Sequence, residues 1–538
     1  MIIISVTIRK YDMGVFMKTV LTLSIILLAV LQQPLYADAT ESDFEPAEVT
    51  IGERLFLETR FAQSWYSNPG KAEPALAKTI TTSQSYKSNF ANGTMNCRAC
   101  HMVDEHQDEL GMRTYADFAP LSPIPNRNDD KHSTGRNSIG LVNISKTDVE
   151  NILFHFDGEF NSLEDLVVGT FTGRNFGWQT TEKDVAIKHI ANIIRNDDGK
   201  GKLAKEFGGS YQKILNGNDK DIAAEFRLPI EYRINTKTAS DKEILDAVAK
   251  LVTAYMDDLS FSIDENGLYN GSPYDAFLRL NKLPRSPSHN ESPIAYSKRL
   301  LNLINKTKKP IFVSDKHGQF ETHKQPFSFS KKELKGMKLF LRQGTSKQSG
   351  GNCASCHQAP HFTDFRFHNT GISQNQYDQL HGTNAFNKIN IPNFAKRNRN
   401  PDKYLPAFRS NPRKKKPNYI DLGLWGVTAN SGIPIPQKKI KAILCEKETS
   451  CTKDIMLEKS VAAFKTPTLR DTGHSAPYMH TGELNTLQDV LAMYIANSEL
   501  ARRGKLRNAD SGLEKIRLNG SDADSIVAFL NSLNEDYD

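Results

Sequence analysis

Four of the six cysteines in this chain of 538 residues fall into two runs of one pattern, Asn96-Cys97-Arg98-Ala99-Cys100-His101 and Asn352-Cys353-Ala354-Ser355-Cys356-His357. In a C-x-x-C-H run the two thiols can form thioethers with haem vinyl groups, and the adjacent histidine becomes an axial iron ligand. A redox C-x-x-C or a zinc knuckle explains neither trailing histidine. The spacing therefore predicts two covalently bound haem c groups, one on Cys97, Cys100 and His101 and one on Cys353, Cys356 and His357.

Haem c is attached outside the cytoplasm, so an export signal is expected at the N-terminus. Lys18 precedes an apolar run from Thr19 to Leu31, and Ala37-Asp38-Ala39 supplies an A-x-A cleavage site. Residues 1–39 thus read as a signal peptide, with 1–16 as an upstream extension and Met17 as the natural start. The mature protein is expected to be soluble and periplasmic, without a membrane span, since the apolar run is too short to cross a bilayer. Cys445 and Cys451 suit an oxidising compartment and are expected to pair as a structural disulfide. The formal charge of +7 includes Arg9, Lys10 and Lys18 against Asp12 in the leader, and haem propionates offset most of what remains. No nucleic-acid partner is implied. The run Arg413-Lys414-Lys415-Lys416 is either a solvated loop or a docking patch for an acidic redox partner.

The elements that must position these groups read as helices. Ile244, Val248, Leu251, Val252, Tyr255 and Leu259 recur at helical spacing. Ser330-Lys331-Lys332-Glu333 is a capping box just ahead of the second haem motif. Ser521 to Leu533 forms a terminal amphipathic segment. Polar loops punctuated by Pro and Gly are expected at 63–94, 260–328 and 396–436, with no internal repeat beyond the haem motifs. The expected fold is mainly α: two cytochrome-c-like haem domains with long loop insertions, at 48–329 around the first motif and 330–538 around the second.

Further stretches are Gly52-Glu53-Arg54-Leu55-Phe56, Gly135-Arg136-Asn137-Ser138, Phe156-Asp157-Gly158, Lys335-Gly336-Met337-Lys338-Leu339-Phe340, Phe367-His368-Asn369-Thr370-Gly371, Phe464-Lys465-Thr466-Pro467-Thr468-Leu469-Arg470 and Ser475-Ala476-Pro477-Tyr478-Met479-His480-Thr481-Gly482. Through them the chain resembles the bacterial dihaem cytochrome c peroxidase and MauG family from about Ile51 to the C-terminus. The resemblance implies that His101 ligates a peroxide-side haem and His357 the haem that takes electrons from a small donor. It also implies a calcium ion held by the Asn137 side chain and the main-chain carbonyls of Ser475 and Pro477, hard oxygen donors of the kind this ion prefers.

Fourteen residues beyond His480, the family's second axial position for the C-terminal haem falls on Tyr494, where peroxidases show Met and MauG-type enzymes Tyr. Helical spacing agrees, because Tyr494 follows Leu487, Val490 and Leu491 on one face while Met493 follows Thr486 and Asp489 on the polar one. A slip of one residue exchanges Tyr494 for Met493, and a packing role for Tyr494 is the alternative. A thioether raises the haem potential, whereas a phenolate stabilises oxidised iron.

The peroxide side departs from the family pattern. Phe156 stands where a Trp is expected, and Leu166 and Phe176 stand where a Gln and a catalytic Glu are expected. Acid/base help in breaking an O–O bond needs a titratable or hydrogen-bonding group, which Leu and Phe lack. Arg174 is the candidate polar replacement and Trp178 the candidate bridging aromatic. His132 and His106 are candidate distal ligands, and ordinary packing or surface roles are the alternative for all four.

Three functions follow. The first is reduction of hydrogen peroxide with electrons from a periplasmic cytochrome c or cupredoxin. The second is MauG-like oxidation of an organic or protein substrate, and the third is electron transfer without peroxide chemistry.

Overall fold

The computed structural model describes residues 45–536 apart from 68, 70–95, 102–135, 146–149, 218–219, 221, 322–323 and 447. The leader, His106 and His132 therefore lie outside the described residues. Helices dominate the remainder, and the one sheet among the described residues is an antiparallel pair, β1 (Phe367–His368) and β2 (Phe464–Lys465). The mainly helical expectation holds.

Local sequence sets the helix starts. Helix α4 (Asp241–Asp258) begins where Ser240 accepts from the Glu243 amide while the Glu243 carboxylate accepts from Ser240 N. The same reciprocal cap opens α7 (Lys331–Leu341) at Ser330 and Glu333, α8 (Leu487–Arg502) at Thr486 and Asp489, and α9 (Gly520–Asn531) at Asn519 and Asp522. Each box satisfies amide donors that a helix N-terminus otherwise leaves without partners.

Two large apolar cores result. The first joins α1 (Ala47–Phe56), α2 (Leu163–Phe171), α3 (Lys183–Asn196) and α4, and Cys97 and Cys100 pack against it. The second joins α5 (Pro273–Leu280), α6 (Pro293–Lys306), α7, α8 and α9, and includes Ala354, while Cys353 packs at its edge. The boundary expected between 329 and 330 thus falls inside the second core, since Tyr274, Tyr296 and Phe329 pack with residues of α7 and α9.

The two cores share a construction. In the first, α1 crosses α4 at Gly52, where a Cβ would stand 2.2 Å from Leu251 O; in the second, α7 crosses α9 at Gly336, where a Cβ would stand 1.8 Å from Ser525 O. Both glycines open a similar stretch, Gly52-Glu53-Arg54-Leu55-Phe56 and Gly336-Met337-Lys338-Leu339-Phe340. This G-x-x-L-F repeat is an internal duplication that the expectation of no further repeat overlooked, because only three of its five positions agree.

The stretches expected to be polar loops are more ordered than their composition suggests. Segment 260–328 supplies α5 and α6, and 396–436 contributes to a third core built on Phe408, Ile420, Leu422 and Trp425. In α6 the buried Tyr296, Leu300 and Ile304 recur every four residues behind a Ser292 cap, a helical period that the reading of 260–328 as a loop passed over. The Arg413–Lys416 run is exposed. Cys445 and Cys451 form a disulfide, with their Cα atoms 5.6 Å apart. No helix among the described residues is long and apolar enough to cross a membrane.

Replacing Gly336 by Ala should force α7 and α9 apart, because a backbone carbonyl occupies the space a methyl group would need. We expect a loss of about 1–3 kcal/mol, read as a lower midpoint in chemical denaturation; an unchanged midpoint would show that the crossing is not tight.

Candidate haem-binding site

The two C-x-x-C-H runs fold alike. Cys97 O accepts from Cys100 N at 3.0 Å and His101 N at 2.9 Å, and Cys353 O accepts from Cys356 N at 3.2 Å and His357 N at 2.8 Å. All four thiols are free of disulfides. Burial pushes Cys100 and Cys353 up to about 12, so both are protonated thiols.

Around the second run the helices enclose an apolar cavity of about 210 Å³, lined by Cys353, Cys356, His357 and side chains of α7, α8 and α9. His357 Nδ1 lies 3.1 Å from Phe362 O. A carbonyl can only accept, so Nδ1 carries the proton and Nε2 is left as the ligand atom. Burial lowers the His357 pKa, which keeps the ring neutral as iron ligation requires. Thiols, oriented imidazole and apolar walls together fit a covalently held haem.

Tyr494 lines this same cavity, together with Leu487, Val490 and Leu491. Met493 does not, yet it is not on a polar face as its spacing suggested: it is buried against Ile372 and Phe464, and its sulfur accepts from Asn497 Nδ2 at 3.1 Å. Burial pushes the Tyr494 phenol above its ordinary pKa, so it keeps its proton unless a cation replaces it. Two further histidines share the wall. His368 is held between Asp510 at 2.7 Å and Asp364 at 2.8 Å. Burial opposes its charge, but Cys356 and the two carboxylates raise its pKa well above the ordinary value. His480 stacks on Phe464 with ring centroids 3.7 Å apart, and burial lowers it to about 4. Both lay in recognised motifs, yet nothing in their spacing announced the cavity.

A smaller cavity of about 80 Å³ adjoins the first. Phe156 and the Lys465–Thr468 segment line both, forming the wall between them. Phe156 O accepts from Lys465 N at 2.9 Å, which fastens this phenylalanine to the end of β2. The next residue, Asp157, is fully buried between Arg136 at 2.6 Å and Arg409 at 2.9 Å, and Arg136 also makes a two-pronged pair with Asp421. Burial alone would raise the Asp157 pKa, but the two guanidinium groups hold it well below the ordinary range.

The first motif has less around it to describe. Burial lowers His101 to about 4. Leu166 and Phe176 are buried in the first core, and neither supplies a polar group. Arg174 sits half-buried in the short turn Arg174–Phe176. The idea of Trp178 as a bridging aromatic is not met: Trp178 is fully buried in the first core, donates to Phe61 O at 3.3 Å and borders neither cavity. Phe156 holds the place between them.

The residues expected to hold calcium do converge. Asn137, Ser475 and Pro477 all line the larger cavity, but Asn137 Nδ2 donates to Pro477 O at 2.6 Å, and Asn137 Oδ1 accepts from Ser138 N at 3.1 Å. The amide thus presents its donor to the carbonyl, and a cation there would need it turned over.

No family model matches the chain. Cytochrome-c peroxidase IdrP2 of Denitromonas iodatirespirans is 27% identical over 187 residues, covering 34% of this chain and 36% of that protein. The IdrP2 of Pseudomonas sp. strain SCT is 25% identical over 222 residues, covering 40% of this chain and 45% of its own. Methylamine utilization protein MauG of Methylophilus methylotrophus is 37% identical over 71 residues, 13% of this chain and 20% of that one. The chain therefore matches less than half the length of these relatives. Among solved structures, the dihaem peroxidase BthA of Burkholderia thailandensis aligns at 15% identity with a TM-score of 0.45, covering 91% of this chain and 87% of that one. The resemblance carried by the motifs is matched by relatives named cytochrome-c peroxidase, which are oxidoreductases, and by one named MauG.

Replacing Tyr494 by Phe should change the electronic and EPR spectra of one haem and leave the other as it was, whereas Met493→Leu should alter neither. The opposite pattern would transfer the ligand to Met493.

Proposed function

We propose that this protein is an exported, periplasmic dihaem c-type oxidoreductase that reduces hydrogen peroxide with electrons from a small redox protein, a cytochrome c or cupredoxin. The observation that carries the reading is the pair of similarly folded C-x-x-C-H turns, each packed on its own core, with Phe156 lining both cavities. Cys97 and Cys100 would hold one haem with His101 as ligand, and Cys353 and Cys356 the other with His357 and Tyr494. Bound there, the haems would supply the redox chemistry at iron. The chain's own part is to fix both imidazoles neutral, keep water from the larger cavity and place Phe156 and Lys465 at the wall. Each haem would then belong to one cytochrome-c-like unit.

On the peroxide side, Leu166 and Phe176 offer no proton relay, so we assign the polar role to Arg174, a cation suited to stabilising charge on a departing oxygen. His132 is the proposed distal ligand of the resting protein. Calcium at Asn137, Ser475 and Pro477 belongs to the same reading, with the Asn137 amide turned to present its oxygen.

A MauG-like role, in which peroxide oxidises an organic or protein substrate, is favoured by Tyr494 in the cavity wall, since a phenolate ligand makes a haem a poor relay at low driving force. An electron carrier without peroxide chemistry is the third reading. Steady-state peroxide consumption with a reduced small cytochrome or copper protein should be measurable and should fall by roughly 10²–10⁴-fold in Arg174→Ala if that cation assists the bond cleavage. Turnover only of an added organic substrate would favour the MauG-like role, and no peroxide consumption at all would leave the electron carrier.

A further inference from the structure

Lys465 stands at the wall between the two cavities and lines both. Its ammonium group lies 5.2 Å from the ring centroid of Phe154 and 5.7 Å from that of Phe365, two aromatic side chains of the smaller cavity. Its main-chain amide is committed to Phe156 O, but among the described residues no carboxylate pairs with its side chain. The other permanent cation of that cavity is differently placed: Arg470 is matched by Asp275 at 2.9 Å and Glu535 at 3.4 Å. Contact with ring faces is a weak substitute for an anion, worth about 0.5–2 kcal/mol, and burial pushes the Lys465 ammonium down to about 7. A lysine so enclosed needs an opposite charge to remain an ammonium ion.

The surroundings state which anion fits. The approach is walled by Phe154, Phe156, Phe365 and Pro467, which suits a carboxylate on an apolar body rather than a hydrated inorganic ion. We propose that the Lys465 ammonium forms an ion pair with a propionate carboxylate of a bound haem at the wall between the two cavities. This rests on the dihaem reading, and the carboxylate can come from either haem, because Lys465 borders both spaces. Lys465 is then a positioning residue: it fixes the edge of a porphyrin against Phe156 and places a fixed positive charge near one iron.

The sign of its effect follows. A nearby cation disfavours the more positive oxidised iron, so removing it should lower that haem's midpoint potential. The test is spectroelectrochemical titration of the holoprotein with Lys465→Met, which keeps the length and apolar stem, and Lys465→Arg, which keeps the charge. Haem content and far-UV circular dichroism are measured first. With two haems bound in each variant, Lys465→Met should shift one midpoint potential downward and leave the other in place, and Lys465→Arg should restore it. The haem that moves, identified by its spectrum, tells which propionate is the partner. Both potentials unchanged in Lys465→Met, with two haems present, would overturn the pairing while leaving the dihaem reading intact. Wild-type protein without covalent haem would overturn both.

Discussion

The placement of the wall between the two cavities depends on one buried carboxylate. Asp157 has no exposure to solvent and is held by Arg136 on one side and Arg409 on the other. Arg136 in turn grips Asp421 through two nitrogens, and Arg409 reaches Glu159 at 2.7 Å. Two stretches about 250 residues apart, 136–159 and 409–421, meet at these charges. Taking them out of water is costly, and their mutual attraction offsets that cost only while the set is complete; loss of one partner from such a buried pair typically costs about 3–5 kcal/mol. Phe156, next in the chain, can face both cavities because its neighbour cannot move.

That constraint gives Phe156 its meaning. A benzyl ring packs and excludes water as an indole does, but it has no N–H and is harder to oxidise. Phe156, backbone and Lys465 form the wall between the two cavities, and neither of these two side chains is readily oxidised. Trp178, the residue whose chemistry suits an oxidisable bridge, is spent on packing in the first core.

The larger cavity is assembled in the opposite manner, from apolar surface with a few aimed polar groups. Phe362 O fixes the His357 tautomer, Tyr494 extends from α8 into the same space, and Asp364 and Asp510 keep His368 charged in its wall. Low dielectric strengthens each of these interactions. Burial keeps the Tyr494 phenol protonated; under the proposed reading it would give up that proton to bind iron as a phenolate, which favours oxidised metal.

Much of this was written in the sequence where the information is local. C-x-x-C-H spacing marked the two like-folded turns, helical spacing marked α4, a capping box marked the start of α7, and the face of α8 put Tyr494 rather than Met493 in the cavity wall, because adjacent positions on a helix point about 100° apart. The G-x-x-L-F repeat was legible too, but faint, since only the glycine that permits a close crossing and the two apolar residues behind it are constrained. What depends on contacts across long loops was not legible. The third core, the move of segment 273–329 into the second core, the Asp157 network and the unmatched charge of Lys465 join residues separated by tens to hundreds of positions. No period or spacing records such meetings: a sequence states which groups can bear charge or exclude water, and the tertiary structure alone decides which of them meet and which are left without a counter-charge.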